Sequence, residues 1–131
     1  MSMRIRLQLL IAMAFVQFIL ASTISLLPFL VDLHFLVGLG VLAVAHLNFA
    51  RLRKMPVPAR LKRIARATAI LATIQPLFGI PLYAHDRLGF DFPGSVEPLV
   101  AILHLVVALG IIAEASATLT AFRMWETKEL R

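Results

Sequence analysis

Four stretches of the chain are apolar for longer than a soluble helix needs. They run approximately over Leu7–Leu27, Phe29–Ala50, Ala67–Ala84 and Leu99–Phe122. A bilayer core takes about 20 helical residues to cross, so each run is predicted to be a transmembrane helix. The first and third hold no charge, the second carries Asp32 only at its entry, and the fourth carries Glu114. The first outer connection is essentially Leu27-Pro28-Phe29, which makes the first two spans a tight antiparallel hairpin. Pro56 and Pro58 are expected to break the second helix within the inner connection Arg51–Arg66, before a basic stretch starts the third. Gly89, Pro93, Gly94 and Pro98 predict that His85–Pro98 is the longest irregular segment, long enough to fold over the outer end. Pro76 and Pro81 fall inside the third span, where membrane helices tolerate proline. The expected fold class is all-α integral membrane, a four-transmembrane-helix antiparallel bundle forming one domain over 1–131, with no soluble domain left over. The halves echo each other: each has two spans, with a histidine at the outer end of the second.

Composition and charge place this bundle. Hydrophobic residues make up 60% of the chain, against about 45–50% in soluble domains. The net charge is +6, which raises nucleic acid as a partner. The distribution points elsewhere. Arg4 and Arg6 precede the first span, seven cations lie in Arg51–Arg66, and Arg123, Lys128 and Arg131 follow the last. Arg87 is the one basic residue in the other two connections. This asymmetry is the positive-inside pattern for a multi-pass protein of the cell membrane with both termini cytoplasmic. The expected partner is thus the lipid bilayer and no nucleic acid, with anionic lipid a second use for the basic segment. The first span exceeds a signal-peptide core of about 7–15 residues and lacks a small-x-small cleavage site, so it is read as a retained helix. The chain has no cysteine, which excludes disulfides, thiolate metal sites and iron–sulfur clusters.

The chemistry lies with two histidines. His34 stands 17 residues before Arg51 and His104 19 residues before Arg123, the first cations past their runs. At about 1.5 Å of rise per residue both lie roughly 26–28 Å above the inner surface, near the outer face. Imidazoles at one depth on neighbouring spans are able to ligate a flat metal macrocycle, which makes haem the expected cofactor. Each is followed four residues later on the same face by a small residue, Gly38 and Ala108, leaving room for the macrocycle. Two plainer readings stand beside this one: close helix packing at the small residues, and a simple interhelical hydrogen bond from each histidine. The matched depth favours ligation, because an ionisable group inside a span is costly to bury.

Other polar residues are less specific. His46 lies 12 residues below His34, about 18 Å deeper. It points off the His34 face and is read as interfacial or hydrogen-bonded. Glu114 is open to four readings: pairing with His46 or a basic side chain, a proton relay, a neutral buried carboxyl group, or a carboxyl group facing a subunit interface. Gln8, Gln17 and Gln75 are read as cross-helix hydrogen-bonders with no further role. His85, Asp86, Arg87, Asp91 and Glu97 stand in the outer loop near the proposed macrocycle. Arg87, the one cation there, is the candidate for haem propionates, or else a solvated charge balanced by Asp86 or Asp91. Asp32 is the candidate for acid–base chemistry, or for orienting a nearby ring. No phosphate loop, zinc-protease signature or nucleophile elbow occurs, so hydrolase and nucleotide-binding readings have no support.

Three segments resemble the haem A synthase family. Asp32-Leu33-His34-Phe35-Leu36-Val37-Gly38-Leu39, running on to Arg51, is similar to its ligand helix. Gln75-Pro-Leu-Phe-Gly79, within Ile70–Gly79, resembles the Gln-x-x-x-Gly pattern of the following helix. Pro98–Ala108, with His104-Leu-Val-Val-Ala108, resembles the fourth helix and its second ligand. The resemblance covers about three of the four spans and implies a compact, half-size member of a family built from two four-helix halves. It further implies haem B as cofactor, oxidation of the methyl group of haem O to the formyl group of haem A, a homodimer or higher oligomer, and a respiratory-chain electron donor. The catalytic half of the family has a glutamate three residues before its first histidine, where this chain has Val31, and a long first outer loop that is missing here. On these points the chain looks more like the electron-transferring half. Two alternatives stay open: a b-type cytochrome linked to quinone that leaves the macrocycle unaltered, and a non-catalytic respiratory-complex subunit whose histidines serve packing.

Overall fold

The computed structural model describes residues 1–94 and 96–129, which form four α-helices: α1 (Met3–Thr23), α2 (Phe29–Lys54), α3 (Ala59–Leu88) and α4 (Val96–Glu129). Arg131, counted above among the inner cations, lies outside the described residues. Local chemistry accounts for the helix ends. The Ser2 hydroxyl accepts a hydrogen bond from the Ile5 amide at 3.4 Å and caps α1. Pro28 and Pro58 precede α2 and α3, their rings holding φ at −55° and −54°. Arg51, Arg53 and Lys54 close α2, where cations suit the negative end of the helix dipole. Gly89 ends α3 in the left-handed region, with φ 68°.

The helices outrun the apolar stretches. The inner connection reduces to Met55–Pro58, because the basic segments on either side are helical. The outer connection is likewise short: α3 continues through His85, Asp86 and Arg87 to Leu88, and α4 starts at Val96, so the irregular stretch among the described residues is not His85–Pro98 but 89–94. α3 passes through Pro76 and Pro81 without interruption.

Short connections make neighbours antiparallel and bring the start of α1 and the end of α4 to one end of the bundle, the base. The opposite end, with the α1–α2 and α3–α4 connections, is the head. α1 packs on α2, α2 on α3, α3 on α4 and α4 back on α1. α2 and α4 are therefore diagonal partners across the axis, not neighbours as expected from the sequence. Towards the base, Leu7, Leu52, Leu61, Ala65 and Phe122 form one buried cluster. Above it Leu10, Val41, Ala45, Ala72, Ile111 and Ala115 form a second. Several of these are alanines, which let helices approach closely, while Phe15, Ile19, Leu36, Ile102 and Val106 point outward. All four helices are long and apolar enough to cross a bilayer, and the chain is a multi-pass membrane protein. Beyond the second cluster, Ala14 and Leu20 are the only side chains towards the head that are buried among the described residues. The head is hollow.

Candidate functional site

The hollow head is a cavity of about 340 Å³, within the range of about 300–1,000 Å³ typical of small-molecule sites. Most of its wall is apolar, supplied by residues such as Phe18, Leu42, Leu82 and Leu105. Its polar side chains stand at two levels: one layer takes a side chain from each helix, Gln17, His34, Gln75 and His104, and Tyr83, His85, Asp86 and Glu97 lie nearer the head. The layer exists because α2 and α4 each present a histidine inward at this height. The two rings face across the bundle axis with centroids 6.1 Å apart and planes inclined by 53°. Both are half-buried. Of the two plainer readings, the interhelical hydrogen bond is found for His104, whose Nε2 stands 3.2 Å from Gln75 Nε2; neither anticipates the convergence of the two rings.

Of the three glutamines expected to hydrogen-bond across helices, the exposed Gln8 makes no such bond among the described residues, whereas Gln17 and Gln75 do so in a matched way. The Gln17 amide donates to the His34 carbonyl at 2.8 Å, and the Gln75 amide to the His104 carbonyl at 3.1 Å. Each half thus contributes a glutamine from its first helix and a histidine from its second, which gives the sequence echo a structural form. The layer is also incompletely bonded. His34 Nδ1, His104 Nδ1, Gln17 Oε1 and Gln75 Oε1 are all buried without a hydrogen-bond partner. Leaving such a group unpaired costs about 1–3 kcal/mol, and here four surround one cavity. No group of three or more His, Asp or Glu side chains is placed to hold a metal ion among the described residues. The two histidines are the protein's donors at this layer.

Ala108 and Gly38 line the cavity, as the small-residue reading expects. Gly38 has a second use: a Cβ there would lie 2.8 Å from Gln17 Nε2, so its bareness also seats the glutamine amide. Arg87 is placed elsewhere. Its guanidinium grips Asp32 through Nε at 3.1 Å and Nη2 at 2.6 Å, so its counter-charge is Asp32 and neither Asp86 nor Asp91. Tyr83 donates to the same carboxylate at 3.0 Å and stacks on Phe35 with centroids 4.6 Å apart. Asp32 and Arg87 thereby brace α2 to α3 at the rim, while the cavity wall at this end is lined by His85, Asp86 and Glu97. The outer connection does fold back there: the Phe90 carbonyl meets His85 Nδ1 at 2.7 Å, and Phe92 packs on the same imidazole at 5.6 Å.

His46 is hydrogen-bonded, as one reading anticipates, to Thr73 Oγ1 at 2.9 Å. Thr73 uses its own proton on the Ala69 carbonyl, so His46 Nε2 is the donor. Glu114 makes no ion pair with His46 or a cation among the described residues. Tyr83 and Thr73 carried no sequence signal. Sequence assigns Gln75 no role beyond a cross-helix hydrogen bond; it and Gly79, four residues on, share the α3 face that touches His104. No protein-family model, curated protein or solved structure matches the chain.

Proposed function

We propose that the chain is a haem-binding membrane protein in which His34 and His104 ligate haem B across the bundle axis. The observation that carries this reading is the facing histidine pair in a largely apolar cavity. A histidine nitrogen binds a metal at about 2.0–2.1 Å. Two imidazoles sharing one ion from opposite sides therefore have centroids about 6 Å apart, and these stand at 6.1 Å. Two protein donors are few for a bare metal ion but suffice for haem, which brings its own ring nitrogens. The orphaned polar atoms add support, since a ligand or the rearrangement it brings would supply partners for groups that now lack them. When bound, haem supplies one-electron chemistry; the protein's part is to hold it, exclude water and place it near the head of the bundle.

Electron transfer by a b-type cytochrome is the activity the residues support best. Asp32, the candidate acid–base group, is held by Arg87 and Tyr83, and Val31 replaces the glutamate of the resembling family's catalytic half. Oxidation of haem O to haem A is the second reading. It draws on the contact of Gln75 and Gly79 with His104 and on the pairing of His104 with His34, one residue or more from each of the three resembling segments. The homodimer, the respiratory-chain electron donor and cytoplasmic termini belong to the same proposal. Pyridine haemochrome analysis of the protein purified from cells with and without a haem O source tests it. Haem B in both samples is expected; haem A in the first supports the second reading, and absence of any haem overturns both.

A further inference from the structure

The two histidines are held differently, and the difference lies in where each half places its glycine. In the α1–α2 half the glycine stands four residues after the histidine, at Gly38, and alanine stands four after the glutamine, at Ala21. In the α3–α4 half the order is reversed: Gly79 follows Gln75 and Ala108 follows His104. A glycine on the histidine helix makes room for the glutamine, and Gln17 accordingly settles on Gly38 and touches only the His34 backbone. A glycine on the glutamine helix makes room for the histidine. A Cβ on Gly79 would lie 2.9 Å from His104 Cε1 and 3.4 Å from its Nδ1, so the nitrogen-bearing edge of His104 is seated on α3.

Gln75 closes that seat. Its Nε2 is 3.1 Å from the His104 carbonyl and 3.2 Å from His104 Nε2. A carbonyl only accepts, so the Gln75 atom there is the amide nitrogen, and His104 Nε2 must accept its second proton. The lone pair that would bind a metal is therefore occupied. Neither ring nitrogen of His34 has such a partner among the described residues.

We propose that His34 is the constant ligand and His104 an exchangeable one, parked on α3 by Gln75 and Gly79 and released to serve as the second ligand. This rests on the haem reading. The parked ring already stands at the right separation from His34, so exchange needs rotation of the imidazole and loss of one hydrogen bond. No helix has to move. Gln75 and Gly79 act as positioning residues. While His104 is parked, that side of the site is open to a small exogenous ligand.

The test uses the full-length protein in detergent, loaded with haem B, reduced with dithionite and mixed with carbon monoxide. Gly79→Ala evicts the ring from its seat and Gln75→Leu removes the competing donor. Both are expected to increase the spectral fraction with two histidine ligands and to slow carbon monoxide binding by about tenfold, equivalent to a hydrogen bond of about 1.4 kcal/mol. His104→Ala should retain haem, lose the two-histidine spectrum and bind carbon monoxide fastest. Haem-loaded wild type and both seat variants with equal rates, or variants that react faster, would overturn the exchange while leaving haem binding standing. Wild type that takes up no haem would overturn the underlying reading instead.

Discussion

Asp32 shows how a residue's neighbours decide its chemistry. Two residues before a ligand candidate, it reads from sequence as an acid–base group; folded, it is the anchor of a rim brace with Arg87 and Tyr83. Its side chain and that of Arg87 are 40% and 36% exposed, so solvent screens the pair and its contribution should be small. A double-mutant cycle of Asp32→Asn and Arg87→Gln, read by thermal unfolding in detergent, is expected to give a coupling of about 0.2–1 kcal/mol. A coupling several times larger would mean that the brace is shielded from solvent. His34 and His104 were legible because a buried ionisable group demands a reason and two at one depth demand a shared one. The hydrogen-bonding reach of Gln17 and Gln75 was legible too, but their role around the pair was not. An amide within an apolar run is cheap enough to need no function, and its target depends on which helices are neighbours.

At the scale of elements, hydropathy and helix-stopping residues mark different boundaries. Apolar runs show where lipid lies, while Pro56, Pro58 and Gly89 show where the backbone turns. In the segments between, such as Arg60–Arg66 and His85–Leu88, charge removes the membrane signal without disfavouring helix, and the helices continue. That is why the spans were legible and their full lengths were not. It also moved Arg87 from a loop onto the last turn of α3, where Asp32 comes within reach. Gly89 is the clearest stop, with φ 68° and nothing within 4 Å of where a Cβ would stand. Gly89→Ala should therefore destabilise the protein by about 1–2 kcal/mol through backbone strain alone, measured by chemical unfolding in detergent. An unchanged midpoint would show that the α3 end does not need the left-handed turn.

For the molecule as a whole, the packing order α1–α2–α3–α4 sets the function within reach, because it makes the two histidine helices diagonal and turns both imidazoles to the axis. Sequence supplied the depth of each ring but not this circular order, which is set by how the four helices pack on one another. The charge asymmetry adds an orientation. Since the chain has no cysteine of its own, single replacements report sidedness cleanly. In intact cells Asp91→Cys is expected to react with a membrane-impermeant maleimide, and Lys54→Cys only after permeabilisation; the reverse would invert the topology. The proposal of a haem ligated across the axis is tested most directly by titrating haem B into the purified protein and its single-histidine variants, following the absorption spectrum. Wild type and His46→Ala should each saturate at one haem per chain with a histidine-ligated spectrum, and His34→Ala should lose that binding. Equal uptake and an unchanged spectrum in His34→Ala would contradict the account.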